Sequence, residues 1–434
     1  MDGTYPRVLI ISAEPVNRTT AVGFVLGNTL RGWPLEALAQ LYGSNHQPDL
    51  EVCRNLRRLR PWEMLPRALQ RCAARFEVGQ TVSAGSGAAS ERQPPGRTGS
   101  RLRRLARPFL DLLDYKPGKG LCTWVATLRP EAILLVVGSM RHARLAANLS
   151  CTLSVPVVPY FMDDFEAMIF ADHPLGPLLR NRYRAALRQV MSRSPVGLGV
   201  SEAMAEAFGR RYGRPFRVFI PPAEPEQIGW YEGQPPEEGP MVFSFFGRLN
   251  QGRGELLGEI VRELEALRAE GLSVVCRLWV APRDVASTQK TLGELPVLQV
   301  SAAPGGEQKR EVLRTTHCFL HVDSFDPTLV AFFRHSVSGK TGMYLVAGRP
   351  VFGYGPEEVY TLRYIGESGV GLVVGQRDRA RLREALRRLI ADRELRLRLG
   401  LRARQVGMEN HHPAKAHEVV RQTLLEACRA WQKG

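Results

Sequence analysis

The chain has few cysteines, and they are not arranged as a disulfide framework or a metal site. There are seven, an odd number, and no two of them form a C-x-x-C pair. They are scattered along the whole chain, at Cys53, Cys72, Cys122, Cys151, Cys276, Cys318 and Cys428. This pattern argues against a small disulfide-stabilised secreted domain and against a cysteine-rich zinc site. We therefore expect reduced thiols in a cytoplasmic protein.

Long hydrophobic runs are also missing. No apolar stretch approaches the roughly 20 residues that a helix needs to span a bilayer. The first apolar run, at 7–12, is too short for the core of a secretory leader and has the composition of a β-strand. We expect neither a leader nor a membrane span.

Lysine is scarce, although the chain is strongly basic. Only seven of the 59 basic residues are lysines, and the formal net charge is +16. A nucleic-acid-binding surface would interleave basic and aromatic side chains along one strand or helix, and the sequence has no such array. We predict no nucleic-acid partner. Codon usage of a GC-rich genome explains the arginine excess, and the net charge favours phosphorylated substrates or anionic lipid.

Strand and helix patterns alternate along the chain and predict two α/β domains. Strands are expected at 7–12, 131–138, 155–161, 196–200, 241–246, 273–280, 297–300, 317–322, 350–353 and 371–374. A Pro- and Glu-rich linker at 220–240 separates two series of strands. We place Rossmann-like domains at 1–222 and 223–405, and a C-terminal helix at 406–434 that packs back on the first domain.

One segment interrupts this alternation. Residues 80–100 are rich in Ser, Gly and Ala and predict a low-complexity insert. The next stretch, 101–114, places leucines and Phe109 on one face and arginines on the other. Such a basic amphipathic stretch is typical of peripheral contact with an anionic membrane, here the inner membrane face. An ordinary surface helix of the first domain explains the same pattern.

The run from Ser338 to Val351 contains the most distinctive polar loop. It follows a strand pattern and places Ser338, Gly339 and Lys340 at the expected start of a helix. Free backbone N–H groups at a helix start attract anions, so a phosphate is the first ligand to consider. The run is not a Walker P-loop, because that motif needs a glycine five residues before Gly339, where Arg334 stands.

Two segments resemble the retaining glycosyltransferases of family 4, which have the GT-B fold. Segment 246–254 resembles their Gly-Arg-Leu-x-x-x-Lys-Gly motif, with Arg248 at the arginine and Arg253 at the lysine position. Segment 338–351 resembles their Ser-x-Lys-x-x-Glu-Tyr-Leu-Ala-x-Gly-x-Pro-Val stretch, with matches at Ser338, Lys340, Tyr344, Leu345, Gly348, Pro350 and Val351. The resemblance implies two Rossmann-like, doubly wound domains facing a central cleft, with a nucleotide-sugar site in the second.

The resemblance also implies roles for individual residues on the donor side. Arg248, Arg253 and Lys340 would neutralise the diphosphate leaving group, and arginine in place of lysine keeps that charge. Further donor-binding candidates are Ser338, Gly339, Tyr344 and Gly23, which lies near the family's glycine that approaches donor and acceptor.

On the acceptor side, a strand end at Asp163 and Asp164 resembles the edge of the acceptor cleft. Asp163 would position an acceptor hydroxyl or orient a sugar, and is a catalytic candidate together with Arg248 and Lys340. A helix N-cap explains Asp164 equally well.

No metal site and no cofactor besides the donor are predicted. His317 and His321 share one face of a strand, which is more typical of core histidines than of metal ligands. The Asp-x-Asp motif of metal-dependent GT-A transferases is absent from the sequence. The adjacent His411 and His412 are expected at the surface.

The chain departs from the family at one pair of positions. Retaining members carry a Glu-x(7)-Glu pair whose second glutamate holds the donor ribose, and this chain has His335 and Met343 there. The resemblance implies a metal-independent, retaining hexosyltransferase with a glycan or lipid-linked acceptor, as in polysaccharide or cell-surface glycan biosynthesis. The departure keeps two alternatives open: a catalytically degenerate protein that binds a nucleotide sugar or glycan, and a sugar-nucleotide 2-epimerase.

Overall fold

The computed structural model describes residues 5–60, 63, 117–171, 173–235 and 238–433. The predicted insert near 80–100 and the basic stretch 101–114 lie outside the described residues. The chain divides into two compact units. The first comprises Met1–Gly199, Ala205–Arg217 and Val420–Gly434, and the second comprises Val200–Met204 and Val218–Val419.

The first unit contains a sheet of seven strands in the order β3-β2-β1-β4-β5-β6-β7. Neighbouring strands from β3 to β6 pair in parallel. The strands are β1 (Val8–Ser12), β2 (Leu38–Tyr42), β3 (Asn55–Arg58), β4 (Ala132–Val136), β5 (Val157–Phe161), β6 (Gly197–Gly199) and β7 (Phe216–Val218). Strands β1, β4 and β5 are buried along their whole length, as is typical of parallel sheets covered on both faces.

The described helices of the first unit follow these strands in sequence. They are α1 (Ala21–Leu30), α2 (Lys119–Leu128), α3 (Met140–Leu153), α4 (Phe165–Met168), α5 (Gly176–Met191) and α6 (Glu202–Tyr212). The first three residues of α6 belong to the second unit. A short 3-10 turn, Leu35–Ala37, precedes β2.

The second unit contains a parallel sheet of six strands in the order β10-β9-β8-β11-β12-β13. Its strands are β8 (Met241–Phe246), β9 (Val274–Val280), β10 (Leu298–Ala302), β11 (Cys318–Val322), β12 (Val351–Tyr354) and β13 (Gly371–Val374). Its helices are α7 (Arg253–Ala269), α8 (Val285–Leu292), α9 (Gly306–Thr315), α10 (Pro327–Phe333), α11 (Thr341–Val346), α12 (Tyr360–Glu367), α13 (Arg379–Ala391) and α14 (Arg393–Asn410). A last helix, α15 (Pro413–Lys433), begins in the second unit, and its residues from Val420 onward belong to the first.

Helices cover both faces of the second sheet. Cys318, Leu320 and Val322 of β11 pack in one apolar cluster with residues of α7 and α13. The alternate residue Phe319 packs in another cluster with residues of α11 and α12. Because successive side chains of a strand point to opposite faces, these two clusters are the two halves of the core.

The order of the strands defines where this sheet can bind a ligand. From β8 the chain runs outward through β9 to β10, and then returns to β11 on the other side of β8. Ligands of open α/β sheets bind at such a switch point, beyond the carboxyl ends of the strands. Here the residues that follow those ends are Gly247, after β8, and Asp323, after β11.

The predicted fold of two doubly wound, Rossmann-like α/β domains is confirmed, and local differences have physical causes. Strands β2, β3 and β7 were not predicted from the sequence. Strands β3 and β7 have only four and three residues and no run of buried side chains, and Gln40 interrupts the apolar run of β2. The Arg-rich stretch that follows β13 forms two helices, α13 and α14, divided at Asp392. That side chain accepts a hydrogen bond from the Leu395 N–H at 2.8 Å and thereby caps α14. No helix in the described ranges combines the length and apolar character needed to cross a bilayer.

Candidate functional site

The loop between β8 and α7 passes close to other parts of the second unit. Gly247 and Gly252 have φ values of 138° and 77°, which residues with a side chain rarely adopt. A Cβ on Gly247 would lie 2.3 Å from Nζ of Lys340, and one on Gly252 would lie 2.6 Å from Oγ of Ser324. The two glycines therefore allow the loop to approach Lys340 and the residues after β11.

Arg253, the first residue of α7, is held by three acceptors. Its Nε donates to the Val322 carbonyl at 3.2 Å, Nη1 to Oε1 of Gln251 at 2.9 Å, and Nη2 to Oδ1 of Asp323 at 3.2 Å. The guanidinium carbon lies 5.4 Å from the centre of the Phe333 ring. Since a guanidinium has five N–H donors, these three bonds leave two donors for a ligand.

Asp323 is a buried carboxylate shared between Arg253 and His321. Its Oδ2 accepts a hydrogen bond from Nε2 of His321 at 2.8 Å, and its side chain is only 4% exposed. Burial alone would raise the pKa of Asp323, but His321 and Arg253 together hold that pKa below its ordinary value. The carboxylate is therefore ionised at neutral pH.

Lys340 is a partly buried cation without a carboxylate partner. Its ammonium lies 5.0 Å from the centre of the Phe245 ring, and within the described chain no carboxylate oxygen is close enough to pair with Nζ. Burial and, to a smaller extent, the Arg253 guanidinium lower the pKa of Lys340 to about 7, although Asp323 acts in the opposite direction. At neutral pH this ammonium is thus near its titration midpoint, beside a second cation.

Ser338 and Gly339 precede a short helix. Helix α11 begins at Thr341 and has six residues. The Ser338 N–H donates to Oγ1 of Thr361 at 3.1 Å, and the Ser338 hydroxyl accepts from the Lys340 N–H at 3.5 Å. Because so short a helix has a small dipole, the positive charge here comes from the side chains of Lys340 and Arg253.

Tyr344 and Met343 are part of the apolar core. The Tyr344 ring stacks on Phe319 with centroids 4.2 Å apart, and its hydroxyl accepts from the Phe246 N–H at 3.1 Å. Met343 is 7% exposed in the same cluster. Tyr344 therefore supports the end of β8, and its role in donor binding stays a prediction.

Arg248 faces a different part of the second unit. It is exposed and lines a hollow of about 290 Å³ to which neither Arg253 nor Lys340 contributes. The other lining residues come from its own loop, from the turn before α8 and from α8 itself: Leu249, Asn250, Arg283, Asp284, Ser287, Thr288 and Thr291. The structure therefore groups two of the three predicted diphosphate cations, and the role of Arg248 stays a prediction.

In the first unit, Gly23 lies in α1, and a close approach of the backbone explains the glycine. A Cβ on Gly23 would lie 2.5 Å from the Pro15 carbonyl oxygen. Its N–H donates at 3.2 Å to the hydroxyl of Thr20, the N-cap of α1. The glycine thus lets the β1–α1 loop fold onto the helix, and its part in donor binding stays a prediction.

Asp163 and Asp164 follow β5 in the first unit. The carbonyl of Asp163 accepts from the Phe165 N–H at 3.1 Å. The carboxylate of Asp164 accepts two hydrogen bonds from Arg211, at 2.9 and 2.6 Å, and makes no bond to the start of α4. Asp164 therefore stands at the N-cap position of α4, but its side chain forms a bidentate ion pair instead of capping the helix.

The structure places His411 differently from the sequence prediction. It is fully buried, where its Nδ1–H donates to the Pro221 carbonyl at 2.8 Å and its Nε2 lies 3.2 Å from the Tyr364 hydroxyl. Burial lowers the pKa of His411 to about 4. The surface prediction was wrong for this residue, because α14 ends against the interdomain linker. His317 is also buried, and its Nδ1 accepts from the Val242 N–H at 3.1 Å.

Comparison by sequence finds no relatives: no known family model and no curated protein matches this chain. Solved structures, in contrast, match nearly its whole length. HepE from Anabaena, in complex with UDP and glucose, has a TM-score of 0.61 at 10% identity, over 97% of this chain and 99% of HepE. A glycosyltransferase from Rickettsia africae has a TM-score of 0.60 at 10% identity, over 98% of both chains.

Sucrose-phosphate synthase from Thermosynechococcus elongatus is similar to the same extent. Its TM-score is 0.60 at 11% identity, over 98% of this chain and 99% of the synthase. These structures are GT-B glycosyltransferases, and the present chain has their fold of two Rossmann-like domains. The predicted fold class is therefore confirmed, whereas identities this low are informative about the fold alone.

Proposed function

We propose that the protein is a glycosyltransferase that moves a sugar from a nucleotide-sugar donor to an acceptor. The environment of Lys340 is the observation on which the proposal depends. Its ammonium is partly buried without a carboxylate partner in the described chain, and it stands beside Arg253 at the switch point of the second sheet. Asp323 forms an ion pair with Arg253 and none with Lys340, so the site keeps an excess of positive charge that a further anion would neutralise. A diphosphate supplies that anion.

This arrangement supports stabilisation of the leaving group. When the bond between the anomeric carbon and the diphosphate oxygen breaks, negative charge develops on the diphosphate. Lys340 and the two remaining donors of Arg253 are suited to bind that charge in a partly dehydrated place. Loss of one such contact is expected to slow transfer on the order of a hundredfold.

The structural neighbours support the class of donor. HepE has been solved with UDP, with UDP-glucose, and with UDP and glucose. Its fold covers 97% of this chain. UDP-sugars are therefore the first donors to test.

The finer features of the proposal come from the resemblance of the motifs. We propose hexosyl transfer with retention, without a bound metal or further cofactor, to a glycan or lipid-linked acceptor in polysaccharide or cell-surface glycan assembly. The enzyme would act in the cytoplasm, at the inner membrane face if residues 101–114 contact anionic lipid. The remaining proposed site residues are Arg248, Ser338, Gly339 and Tyr344 for the donor, and Gly23 and Asp163 in the first unit.

Met343 favours a second candidate function. Retaining relatives would place a ribose-binding glutamate at this position, and here a methionine is buried in an apolar cluster. A protein without that carboxylate could bind a nucleotide sugar and not transfer it.

Calorimetric titration of the purified protein with UDP-glucose, GDP-mannose, ADP-glucose and dTDP-glucose tests both candidates. Nucleotide release is then measured with and without acceptor sugars. We expect one donor class to bind, and Lys340→Met to lose that binding while Lys290→Met, which removes an exposed lysine, retains it. Binding without any release supports the second candidate. No binding of any of the four contradicts both.

A further inference from the structure

The proposed diphosphate site contains a carboxylate that a diphosphate would repel. Asp323 directly follows β11 and is buried. It lies 3.2 Å from a guanidinium nitrogen of Arg253 and 2.8 Å from a ring nitrogen of His321. A buried negative charge in an anion site weakens binding unless it improves the site in another way.

One improvement is the orientation of Arg253. An arginine side chain has several rotatable bonds, and fixing it when a ligand binds costs affinity. Asp323, Gln251 and the Val322 carbonyl each accept one hydrogen bond from the guanidinium before any ligand arrives. His321 in turn holds the second oxygen of Asp323, so that the first is directed at Arg253.

A second improvement is the charge of Lys340. The charged groups that act on this ammonium are Arg253, which disfavours its protonation, and Asp323, which favours it. The ammonium also lies near the Phe245 ring and the Gly247 backbone, which carry no charge. Without Asp323, burial and Arg253 would act unopposed, and Lys340 would be neutral over more of the physiological pH range.

We propose that Asp323, supported by His321, is a positioning residue that orients Arg253 and favours the charged form of Lys340 for binding the donor diphosphate. This inference rests on the proposed function, because it assumes that the two cations bind a diphosphate.

Lysine NMR tests the electrostatic part directly. The chain has only seven lysines, so selective ¹³Cε labelling gives few signals, and Lys340→Met identifies one of them. We expect the wild-type Lys340 signal to titrate near pH 7. Asp323→Asn should move its midpoint about one pH unit lower, and Asp323→Ser provides a second neutral variant if the first does not fold. Asp326→Asn, which removes an exposed carboxylate of the same loop and retains a good helix cap, should leave the midpoint unchanged.

Titration with UDP-glucose, and with the other three nucleotide sugars, completes the test. A bound diphosphate should raise the Lys340 midpoint, and at pH 8 the neutral Asp323 variants should bind about tenfold more weakly than wild type, since one pH unit is a factor of ten in protonation. Asp323→Glu, which keeps the charge, should recover most of that affinity. If no nucleotide sugar moves the wild-type signal, the proposed function fails. If they do move it, but Asp323→Asn changes neither midpoint nor affinity, the inference about Asp323 fails alone.

Discussion

Lys340→Met removes a cation that the fold buries without a counter-ion, so the substitution should stabilise the protein while it abolishes donor binding. Burial lowers the pKa of Lys340 from 10.5 to about 7. Between pH 7 and pH 10.5 this lysine binds a proton more tightly in the unfolded chain than in the folded one. Its effect is therefore to lower the free energy of unfolding as the pH falls from about 10.5 towards 7. Methionine has similar length and no charge, and removes this effect.

The size of the effect follows from the same linkage. In the pH range in which Lys340 is protonated only in the unfolded state, the free energy of unfolding changes by about 1.4 kcal/mol per pH unit. Between pH 9 and pH 7 this amounts to on the order of 2 kcal/mol, because the slope declines near the folded midpoint. A difference of this size corresponds to roughly 4–8 °C in Tm for a domain of 150–250 residues.

Urea and thermal denaturation, followed by circular dichroism at pH 7 and pH 9, measure this difference. Wild type should lose stability between pH 9 and pH 7 relative to Lys340→Met. Lys309→Met is the matched control, because its ammonium is ion-paired with Glu224; that variant should be less stable than wild type at both pH values. The reasoning is refuted if Lys340→Met is less stable than wild type at pH 7, or shows the same pH dependence.

Three further substitutions separate binding from stability. Gly247→Ala should weaken nucleotide-sugar binding at least about tenfold in calorimetry, because its methyl group would lie 2.3 Å from Nζ of Lys340. Gly213→Ala, at a glycine with positive φ and open space around it, should leave binding unchanged. Tyr344→Phe should lower the free energy of unfolding by about 1–3 kcal/mol, because the Phe246 N–H loses its acceptor; an affinity loss larger than threefold would instead support a direct role of the hydroxyl in donor binding. Arg211→Gln should destabilise the first unit by about 3 kcal/mol, since it leaves the buried Asp164 carboxylate without its ion pair, whereas Arg210→Gln, at an exposed pair, should change little; equal effects of the two would contradict this.

The grouping of Arg253 and Lys340 could be predicted from sequence because both residues follow buried parallel strands. The carboxyl ends of such strands meet at one edge of a sheet. Arg248 shares a motif with Arg253, but the sequence does not show how the loop between them turns. Its positive φ angles at Gln251 and Gly252 orient the two arginines to different surroundings.

Asp323 and His321 illustrate what sequence alone does not reveal. His321 reads as part of an apolar strand, and Asp323 as the first polar residue after it. Their importance depends on β11 lying beside β8, which brings Asp323 to Arg253 although they are 70 positions apart. The position of Asp323 directly after the buried strand β11 was the one sequence feature that could have indicated a functional role. His411 was placed at the surface for a similar reason, because its partners Pro221 and Tyr364 are distant in sequence.

The central claim is that Lys340 binds the donor diphosphate. Proton uptake on donor binding tests this claim most directly. UDP-glucose is titrated into the protein at pH 7 in buffers of different ionisation enthalpy. Its diphosphate has no terminal phosphate group titrating near pH 6, unlike UDP. Because free Lys340 has a pKa of about 7 and the bound ammonium should be fully charged, wild type should take up about half a proton per ligand bound, and any binding left in Lys340→Met should take up none. Binding by wild type without proton uptake, or equal uptake by the variant, would contradict the account.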